Sequence, residues 1–305
     1  GMVMLSGYRW TVDKPWAPRG PYDGTERFER EAKPWVTCRE DPMTPTIVET
    51  EEEKKSYKGK RYATMCRATE FSRDTISEIS QRCVKAGYTV IHFDQVTSGG
   101  ASQAYCLSPN HGHAPGFGRW VHTALVDLFK QLRHDCAPLS PDFALSLEEP
   151  SELYIPYLQF IQSRPYVITP DFPINPPMAK AVPLFMYLYH DYLAGWASHL
   201  PATSTGGHPH RTIAKGFAAG CVPGMLHSIL YHPRIGWAPS CREMFMKCCR
   251  VYRDGGVPFL LYGRMLQPLP IEIPTKVIQV QPRKKKTKLP LAVPAFYHSV
   301  WQAPD

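Results

Sequence analysis

Short apolar runs alternate with longer amphipathic segments along most of this chain of 305 residues. In the amphipathic segments the apolar residues recur every three or four positions, which is the spacing of one face of a helix. The predicted strands are Met2–Tyr8, Tyr88–Phe93, Phe143–Glu148, Leu184–Tyr189 and Val257–Tyr262. The predicted helices are Phe71–Ala86, Trp120–Cys136 and Met244–Arg253, with a helix or tight turn over Ser151–Phe160 and a helix-to-loop unit over Lys215–Gly224.

Local signals mark the ends of the first long helix. Ser72 or Asp74 could cap its start, because a short polar side chain can accept a hydrogen bond from a free backbone N–H there. Gly87 is predicted to end the helix, since glycine readily adopts the backbone conformation that terminates one. The strand Tyr88–Phe93 follows directly.

Alternating strands and helices predict an α/β fold with a parallel sheet. Neither of the glycine-rich phosphate loops, GxGxxG or GxxxxGK[ST], accompanies the pattern, which favours a barrel over a nucleotide-binding sheet. We therefore predict a (β/α)8 barrel over residues 1–270, incomplete at its N-terminus because a strand begins almost at the first residue. From Ile271 the strand-like segments Ile271–Val280 and Ala295–Trp301 have no helix between them, so residues 271–305 are predicted to begin a β-sandwich that is cut short.

Two of the predicted strands end in acidic residues. Asp94 follows the apolar run Tyr88–Phe93, while Glu148 and Glu149 follow the next strand. The carboxyl ends of parallel strands carry the chemistry of such folds, and cleavage of a glycosidic bond needs two carboxyl groups. Because neighbours on a strand face opposite sides, only one of the two glutamates can join Asp94. The alternative is structural, with Asp94 capping backbone or pairing with an arginine and the glutamates lying on the surface.

Composition and charge change this picture little. The hydrophobic fraction of 43% is enough for a buried core, and the seven tryptophans and 16 tyrosines suit sugar-binding platforms as well as ordinary core edges. Much of the net charge of +8 comes from Arg283–Lys288, which lies between strand-like segments and is predicted to be a solvated hairpin. No apolar stretch approaches the roughly 20 residues of a membrane span. A carbohydrate is the predicted partner, and neither nucleic acid nor membrane is expected.

The loop Val96–Arg119 is far longer than the usual connection of about 2–6 residues, and long loops are often functional. It contains His111 and His113, which could bind a metal with Cys106 or an acid as third ligand. No complete ligand set is visible, and the nine cysteines form no CxxC pair. Hydrogen bonding of the histidines to sugar hydroxyls is therefore favoured, and no metal or cofactor is predicted.

Six stretches, taken in order, resemble a family of uncharacterised, predicted glycoside hydrolases. They run from Met65 to Pro268 and read MCRATEFSRDT, FDQ, CLSPNHGHAPGFGRW, EEPSELYI, VPLFMYLYHDY and GRMLQP. The family has a (β/α)8 barrel followed by a β-sandwich and is similar to endo-α-N-acetylgalactosaminidases and α-galactosidase-like enzymes. The resemblance implies that Asp94 is the nucleophile and Glu148 the acid/base. It also implies further strands and an N-terminal sandwich before this chain, since only about six of the eight barrel strands are present.

The remaining candidates are polar or aromatic residues of the strand ends and the long loop. Those predicted to bind substrate are Gln95, His111, His113, Arg119, Trp120, Glu149, Glu152, His190 and Asp191. The predicted reaction is hydrolysis of α-linked glycosides with retention of configuration. Two alternatives stay open, namely a non-catalytic carbohydrate-binding protein on the same fold and a metal-dependent hydrolase that uses His111 and His113.

Overall fold

The computed structural model of the chain describes residues 1–5, 8–12, 24–39, 47–48, 62–97, 104–162, 183–197, 209–223, 239–280 and 289–304. The chain divides into two compact units, Gly1–Glu148 and Glu149–Asp305. The strands, in chain order, are β1 (Met2–Leu5), β2 (Arg9–Thr11), β3 (Ile47–Val48), β4 (Tyr62–Thr64), β5 (Val90–Phe93), β6 (Ala144–Leu147), β7 (Phe160–Gln162), β8 (Ala194–Ala197), β9 (Val222–Pro223), β10 (Arg264–Leu266), β11 (Thr275–Val280), β12 (Leu289–Pro294) and β13 (Val300–Gln302).

The α-helices, in the same order, are α1 (Gly24–Arg27), α2 (Glu70–Lys85), α3 (Trp120–Cys136), α4 (Leu184–Tyr189), α5 (Pro209–Ala218), α6 (Pro239–Val251) and α7 (Val257–Leu260). Short 3-10 or π segments add to them at Phe28–Ala32, Lys33–Trp35, Ala137–Leu139, Glu152–Tyr157 and Tyr252–Gly256. None of the helices in the described part of the chain combines the length and the apolar character that a membrane span requires.

In the first unit, β1, β5 and β6 pair in parallel in that order. All four residues of β6 are buried, as expected for a strand of a parallel sheet that is covered on both faces. Helix α3 covers one face, because Phe129 packs against Phe93 of β5 with ring centroids 6.0 Å apart. The observed bounds of α3 are those predicted from its apolar periodicity.

Helix α2 lies beside α3 and is joined to it by polar contacts. The Arg73 guanidinium donates to Gln131 Oε1 at 2.9 Å, and the Ser77 hydroxyl donates to Asp135 at 2.5 Å. The prediction of its N-cap was wrong, since Thr69 caps the helix and its hydroxyl oxygen accepts from the Ser72 backbone N–H. Gly87 follows the helix with a positive φ of 93°, as predicted for its end.

A small antiparallel sheet in the order β2, β4, β3 accompanies the parallel strands of the first unit. Met65 extends β4 by one residue, because its N–H donates to the Tyr8 carbonyl and it forms a β-bridge with Val36. Cys66 comes next, with its N–H bonded to the Trp35 carbonyl at 2.8 Å. Backbone hydrogen bonds therefore hold the segment between β4 and α2 in place.

In the second unit, β7, β8 and β9 are parallel, and α5 lies between β8 and β9 in the sequence. The strands β11 and β12 form an antiparallel pair, and β10 pairs antiparallel with β13. The basic run Arg283–Lys288 falls between β11 and β12, outside the described residues.

Two predicted strands of the second unit are helices instead. Leu184–Tyr189 forms α4, in which Met186 alone is buried, and Val257–Leu260 forms α7. Runs this short carry too little periodicity to separate strand from helix. Proline did mark the starts of both helices in the sequence. Pro183 directly precedes α4, and Pro258 lies in the first turn of α7, where proline is favoured.

Other predicted bounds need smaller corrections. Phe160 opens β7 rather than closing a helix, and α5 and α6 start six and five residues earlier than predicted, at Pro209 and Pro239. The strand predicted from Ile271 begins only at Thr275, directly after Pro274, because proline lacks the N–H that a ladder needs. Most of Ala295–Trp301 lies between β12 and β13.

The α/β class is confirmed by the parallel strands and their helices. Each unit contributes three parallel strands to the described part of the chain. A closed eight-stranded barrel, a boundary at residue 270 and a C-terminal sandwich stay predictions.

The packing of α3 on β5 predicts that two phenylalanines of the first unit differ strongly in their contribution to the free energy of unfolding. Phe129 is fully buried, whereas 61% of Phe117 is exposed. Replacing Phe129 by alanine leaves a cavity in the core and should lower the free energy of unfolding by about 3–5 kcal/mol. Phe117→Ala, the matched control, should lower it by well under half of that. Urea denaturation followed by circular dichroism measures both, and equal losses would show that α3 does not depend on this contact.

Candidate active site

The strands β5 and β6 bring Asp94 and Glu148 to the same edge of the sheet. Phe93 and Leu147 are partners in the parallel register. The ladder continues past them, since the Asp94 N–H donates to the Leu5 carbonyl at 2.9 Å and the Glu148 N–H donates to the Phe93 carbonyl at 3.0 Å. Neighbouring strands lie about 4.7–4.9 Å apart. The two acids are therefore adjacent at the backbone, although they lie 54 positions apart in the chain (148 − 94).

The side chains two residues before each acid show which face of the sheet the acids occupy. His92 and Ser146 are register partners, and His92 Nδ1 lies 3.0 Å from Ser146 Oγ. Residues two apart on a strand share a face, so Asp94 continues the face of His92 and Glu148 that of Ser146. Both acids thus follow one polar line that runs along β5 and β6.

Gln95 connects the two acids through its backbone. Its N–H donates to Glu148 Oε2 at 2.7 Å, and among the described residues it is the one non-glycine with a positive φ, 58°. This left-handed conformation costs about 1–2 kcal/mol, and such strain is often found at functional sites. The turn out of β5 therefore holds the Glu148 carboxyl group, which is buried, beside the half-buried Asp94.

His92 was missed by the sequence reasoning because it lies inside the apolar run before Asp94. It is completely buried, and burial lowers its pKa to about 4 although the charge of Glu148 acts in the opposite direction. The imidazole is therefore neutral at neutral pH. The period-two alternation that places His92 on the face of Asp94 is the signal that could have identified it.

The loop after β5 brings several predicted residues together. His111 is buried, with Nδ1 3.4 Å from Cys106 Sγ and Nε2 2.9 Å from the Pro34 carbonyl. His113 lies 3.2 Å from Cys66 Sγ, and its ring stacks on Trp120 with centroids 3.8 Å apart. The Trp120 indole donates to the Gly116 carbonyl.

Cys66 was not anticipated as a member of this group, because it precedes Cys106 by 40 residues (106 − 66). It is buried and free, as is Cys106. The contact between the two sulfur atoms lowers the pKa of Cys106, with support from His111, and raises that of Cys66, which burial raises further. For His111, burial lowers the pKa, but the contacts with Cys106 and Pro34 outweigh it and the net change is upward.

Of the other predicted substrate-binding residues, one ends this loop and the rest belong to the second unit. Arg119 is exposed immediately before α3. In the second unit, Glu149 is half-buried, and Glu152 and Asp191 are exposed. His190 is buried, with Nδ1 3.0 Å from the Gly263 carbonyl, Nε2 3.4 Å from the Gly220 carbonyl and its ring 4.6 Å from that of Trp301.

Trp196 is buried on β8. Lys215 of α5 is a buried cation that the sequence reasoning did not single out. Burial, together with the charge of Arg211, lowers its pKa to about 7.

Comparison with known proteins assigns the chain to a family. Residues 19–199 match the family model described as "Domain of unknown function (DUF6259)", and this match covers more than half of the chain. The chain belongs to this family. A Bacteroides thetaiotaomicron protein named "Putative glycoside hydrolase" is 27% identical over 222 residues, 69% of this chain. The chain spans 29% of the length of that relative.

Two solved structures show a similar fold. The cyclic α-maltosyl-(1→6)-maltose hydrolase from Arthrobacter globiformis gives a TM-score of 0.54 at 10% identity, over 99% of this chain and 74% of that one. The α-amylase from H. orenii gives 0.54 at 10% identity, over 95% and 69%. At such low identity these likenesses concern the α/β fold alone. The name of the Bacteroides relative shows that this DUF6259 chain resembles a glycoside hydrolase in sequence, and the two solved structures add a likeness of fold.

The buried His92 predicts a distinct dependence of stability on pH. Its pKa is about 4 in the folded chain against 6.5 for an ordinary histidine, so the unfolded chain takes up its proton first as the pH falls. The free energy of unfolding should therefore decrease from about pH 6.5 down to about pH 4, by roughly 3 kcal/mol for this group. Urea denaturation at several pH values measures the slope.

His92→Gln should flatten that slope, because glutamine does not titrate. His134→Gln removes an exposed histidine of the same unit that pairs with Asp135. Because that pair stabilises the fold when the histidine is protonated, its loss should not flatten the slope. A parent and a His92→Gln variant with the same slope would contradict the assignment.

Proposed function

We propose that this chain carries the catalytic pair of a glycoside hydrolase that acts on α-linked glycosides with retention of configuration. Asp94 is the nucleophile and Glu148 is the acid/base. The observation that carries the proposal is the parallel register of β5 and β6, which makes two strand-end acids neighbours on one face of the sheet. The name of the Bacteroides relative supports the same reaction class.

The chemistry follows from the proximity of the two carboxyl groups. Asp94 attacks the anomeric carbon while Glu148 transfers a proton to the glycosidic oxygen, so the bond to the leaving group breaks as the bond to Asp94 forms. Glu148 then removes a proton from water, which attacks the same carbon and releases Asp94. This double displacement retains the configuration, since each step inverts it once.

Strand spacing favours retention over inversion in this proposal. Retaining enzymes hold the two carboxyl groups about 5–5.5 Å apart, whereas inverting enzymes leave about 6.5–9.5 Å for a water molecule. Adjacent positions on neighbouring strands are about 4.7–4.9 Å apart at the backbone. The preference for an α-linkage comes from the resemblance of the motifs, and the names of the two fold neighbours agree with it.

Substrate contacts are proposed for nine polar and aromatic residues, which follow β5 or β6, lie in the loop before α3 or at the start of that helix, or follow α4. They are Gln95, His111, His113, Arg119, Trp120, Glu149, Glu152, His190 and Asp191. Of these, Arg119, Glu152 and Asp191 are exposed, and their charged groups suit hydrogen bonds to sugar hydroxyls. The ring nitrogens of His111, His113 and His190 already contact protein atoms.

The nucleophile can be tested by covalent labelling, which does not require complete turnover. The chain is incubated with α-configured cyclophellitol aziridines of the glucose, galactose and N-acetylgalactosamine series, and the modified peptide is identified by mass spectrometry. Labelling at Asp94 is expected, because ring opening by the nucleophile forms an ester with it. Asp94→Asn should abolish the label, while Asp142→Asn, an exposed acid of the same unit, should retain it.

Loss of the acid/base should weaken turnover. With an aryl α-glycoside that the parent cleaves, Glu148→Gln should lower kcat/KM by about 10²–10⁴-fold. Glu78→Gln on the exposed face of α2 is the matched control and should leave kcat/KM unchanged. Labelling at another acid, or full activity of the Glu148 variant, would contradict the assigned pair.

The stereochemical outcome can be read directly by proton NMR of the first product formed. Retention predicts that the α-anomer of the free sugar appears first and then mutarotates. An initial β-anomer would exclude the double displacement and would leave Asp94 as a general base acting through water.

The bond from the Gln95 N–H to Glu148 is the observation that favours the second candidate, a carbohydrate-binding protein without catalysis. A buried glutamate that stabilises a strained turn can be retained for structure alone. Binding of α-glycosides measured by calorimetry, with neither label nor turnover, would favour this function.

A further inference from the structure

Four potential metal ligands that do not include the two acids converge in the first unit. They are Cys66, between β4 and α2, and Cys106, His111 and His113 of the loop between β5 and α3, here called the Cys2His2 cluster. Their ligand atoms all lie within 4.8 Å of one another, and three of the four residues are buried. We propose that the Cys2His2 cluster binds a structural zinc ion.

The distances match the edges of a tetrahedral site. Zinc binds cysteine sulfur at about 2.3 Å and histidine nitrogen at about 2.0–2.1 Å, so neighbouring ligand atoms of a tetrahedron lie roughly 3.3–3.8 Å apart. Cys66 Sγ lies 3.2 Å from His113 Nε2, and Cys106 Sγ lies 3.4 Å from His111 Nδ1. Small adjustments of side-chain torsions would bring the four atoms around one ion.

Both imidazoles are oriented as in a metal site. His111 Nε2 contacts the Pro34 carbonyl at 2.9 Å, and His113 Nδ1 contacts the Ala114 carbonyl at 2.8 Å. A carbonyl oxygen can only accept a hydrogen bond, so these two nitrogens carry the protons. The nitrogens that face the cluster then present lone pairs, and this use of the second ring nitrogen is typical of histidines that bind zinc.

The backbone around the cluster is held in place before any ion binds. The Cys66 N–H is bonded to the Trp35 carbonyl, and the Gly116 N–H is bonded to the Cys106 carbonyl. Gly112, between the two histidines, has a positive φ of 74°, which turns the chain so that both rings reach the cluster. Trp120 stacks on His113 and restricts its ring.

The donor set favours zinc and a structural role. Two thiolates with two imidazoles in tetrahedral array are typical of zinc. Binding releases one proton from each thiol, so the ion and the two thiolates form a neutral site, which suits burial. Four protein ligands leave no open position for a water molecule. The ion would therefore link the loop after β5 to the start of α2 and would take no part in hydrolysis. As its ligands, with their second ring nitrogens on backbone carbonyls, His111 and His113 would have no nitrogen for a sugar hydroxyl, so the zinc site replaces the substrate contacts proposed for these two residues.

Metal content is the first measurement. The chain is expressed in zinc-supplemented medium, purified without chelator and analysed by inductively coupled plasma mass spectrometry. About one zinc ion per chain is expected. Exchange for Co²⁺ should produce the intense visible bands of tetrahedral cobalt together with thiolate charge-transfer absorption.

Variants assign the ligands. Cys66→Ser, Cys106→Ser and His113→Asn should each reduce bound zinc to background and remove the thermal stabilisation that added zinc gives. Cys83→Ser and His134→Gln change the same residue types in the same unit outside the cluster. They should keep both the zinc and the response, which separates loss of a ligand from general destabilisation.

Three results would overturn the proposal. They are a parent protein that contains no zinc and gives no cobalt spectrum, cluster variants that keep zinc as the controls do, and a Cys66–Cys106 disulfide detected by thiol titration and mass. None of these readouts depends on glycosidase activity, so a failure of the zinc site and a failure of the proposed function can be told apart.

Discussion

The parallel, in-register pairing of β5 with β6 is the constraint on which the candidate site depends. It makes Asp94 and Glu148 neighbours by continuing the ladder one residue beyond Phe93 and Leu147. A shift of one residue would turn one of the acids to the opposite face, since the side-chain period of a strand is two. The buried residues of both strands resist such a shift, because it would move Phe93 or Leu147 onto the face of the polar pair His92 and Ser146.

The same pairing determines how polar groups are accommodated beneath the acids. His92 and Ser146 are both fully buried, and His92 Nδ1 lies 3.0 Å from Ser146 Oγ. Glu148 is held by the backbone of Gln95, whose strained conformation is offset by that bond and by the packing of β5. Polar side chains in a core are costly to bury without partners. These contacts therefore lower the cost of burial and define the geometry at the strand ends.

The Cys2His2 cluster addresses a different structural need. The loop between β5 and α3 is long and rich in glycine and proline, and such loops gain little from hydrophobic burial. In its described part, residues 104–119, the contacts of His113 with Cys66 and of His111 with Cys106 link the loop to the segment after β4. Loop order and the placement of the acids therefore rest on separate interactions in the same unit.

The sequence by itself determined those features that repeat over several turns or strand positions. Helices α2 and α3 were located within a residue or two because each repeats its apolar spacing over four turns, and the α/β class and the strand-end positions of Asp94 and Glu148 follow from the same alternation. The short runs that became α4 and α7 carried too few residues for their period to be distinguished. The cap at Thr69, the contact of His92 with Ser146 and the meeting of Cys66 with His113 were decided only by the tertiary structure. The last two join residues far apart in the chain, and which distant residues meet depends on strand pairing and loop path, which local periodicity does not encode.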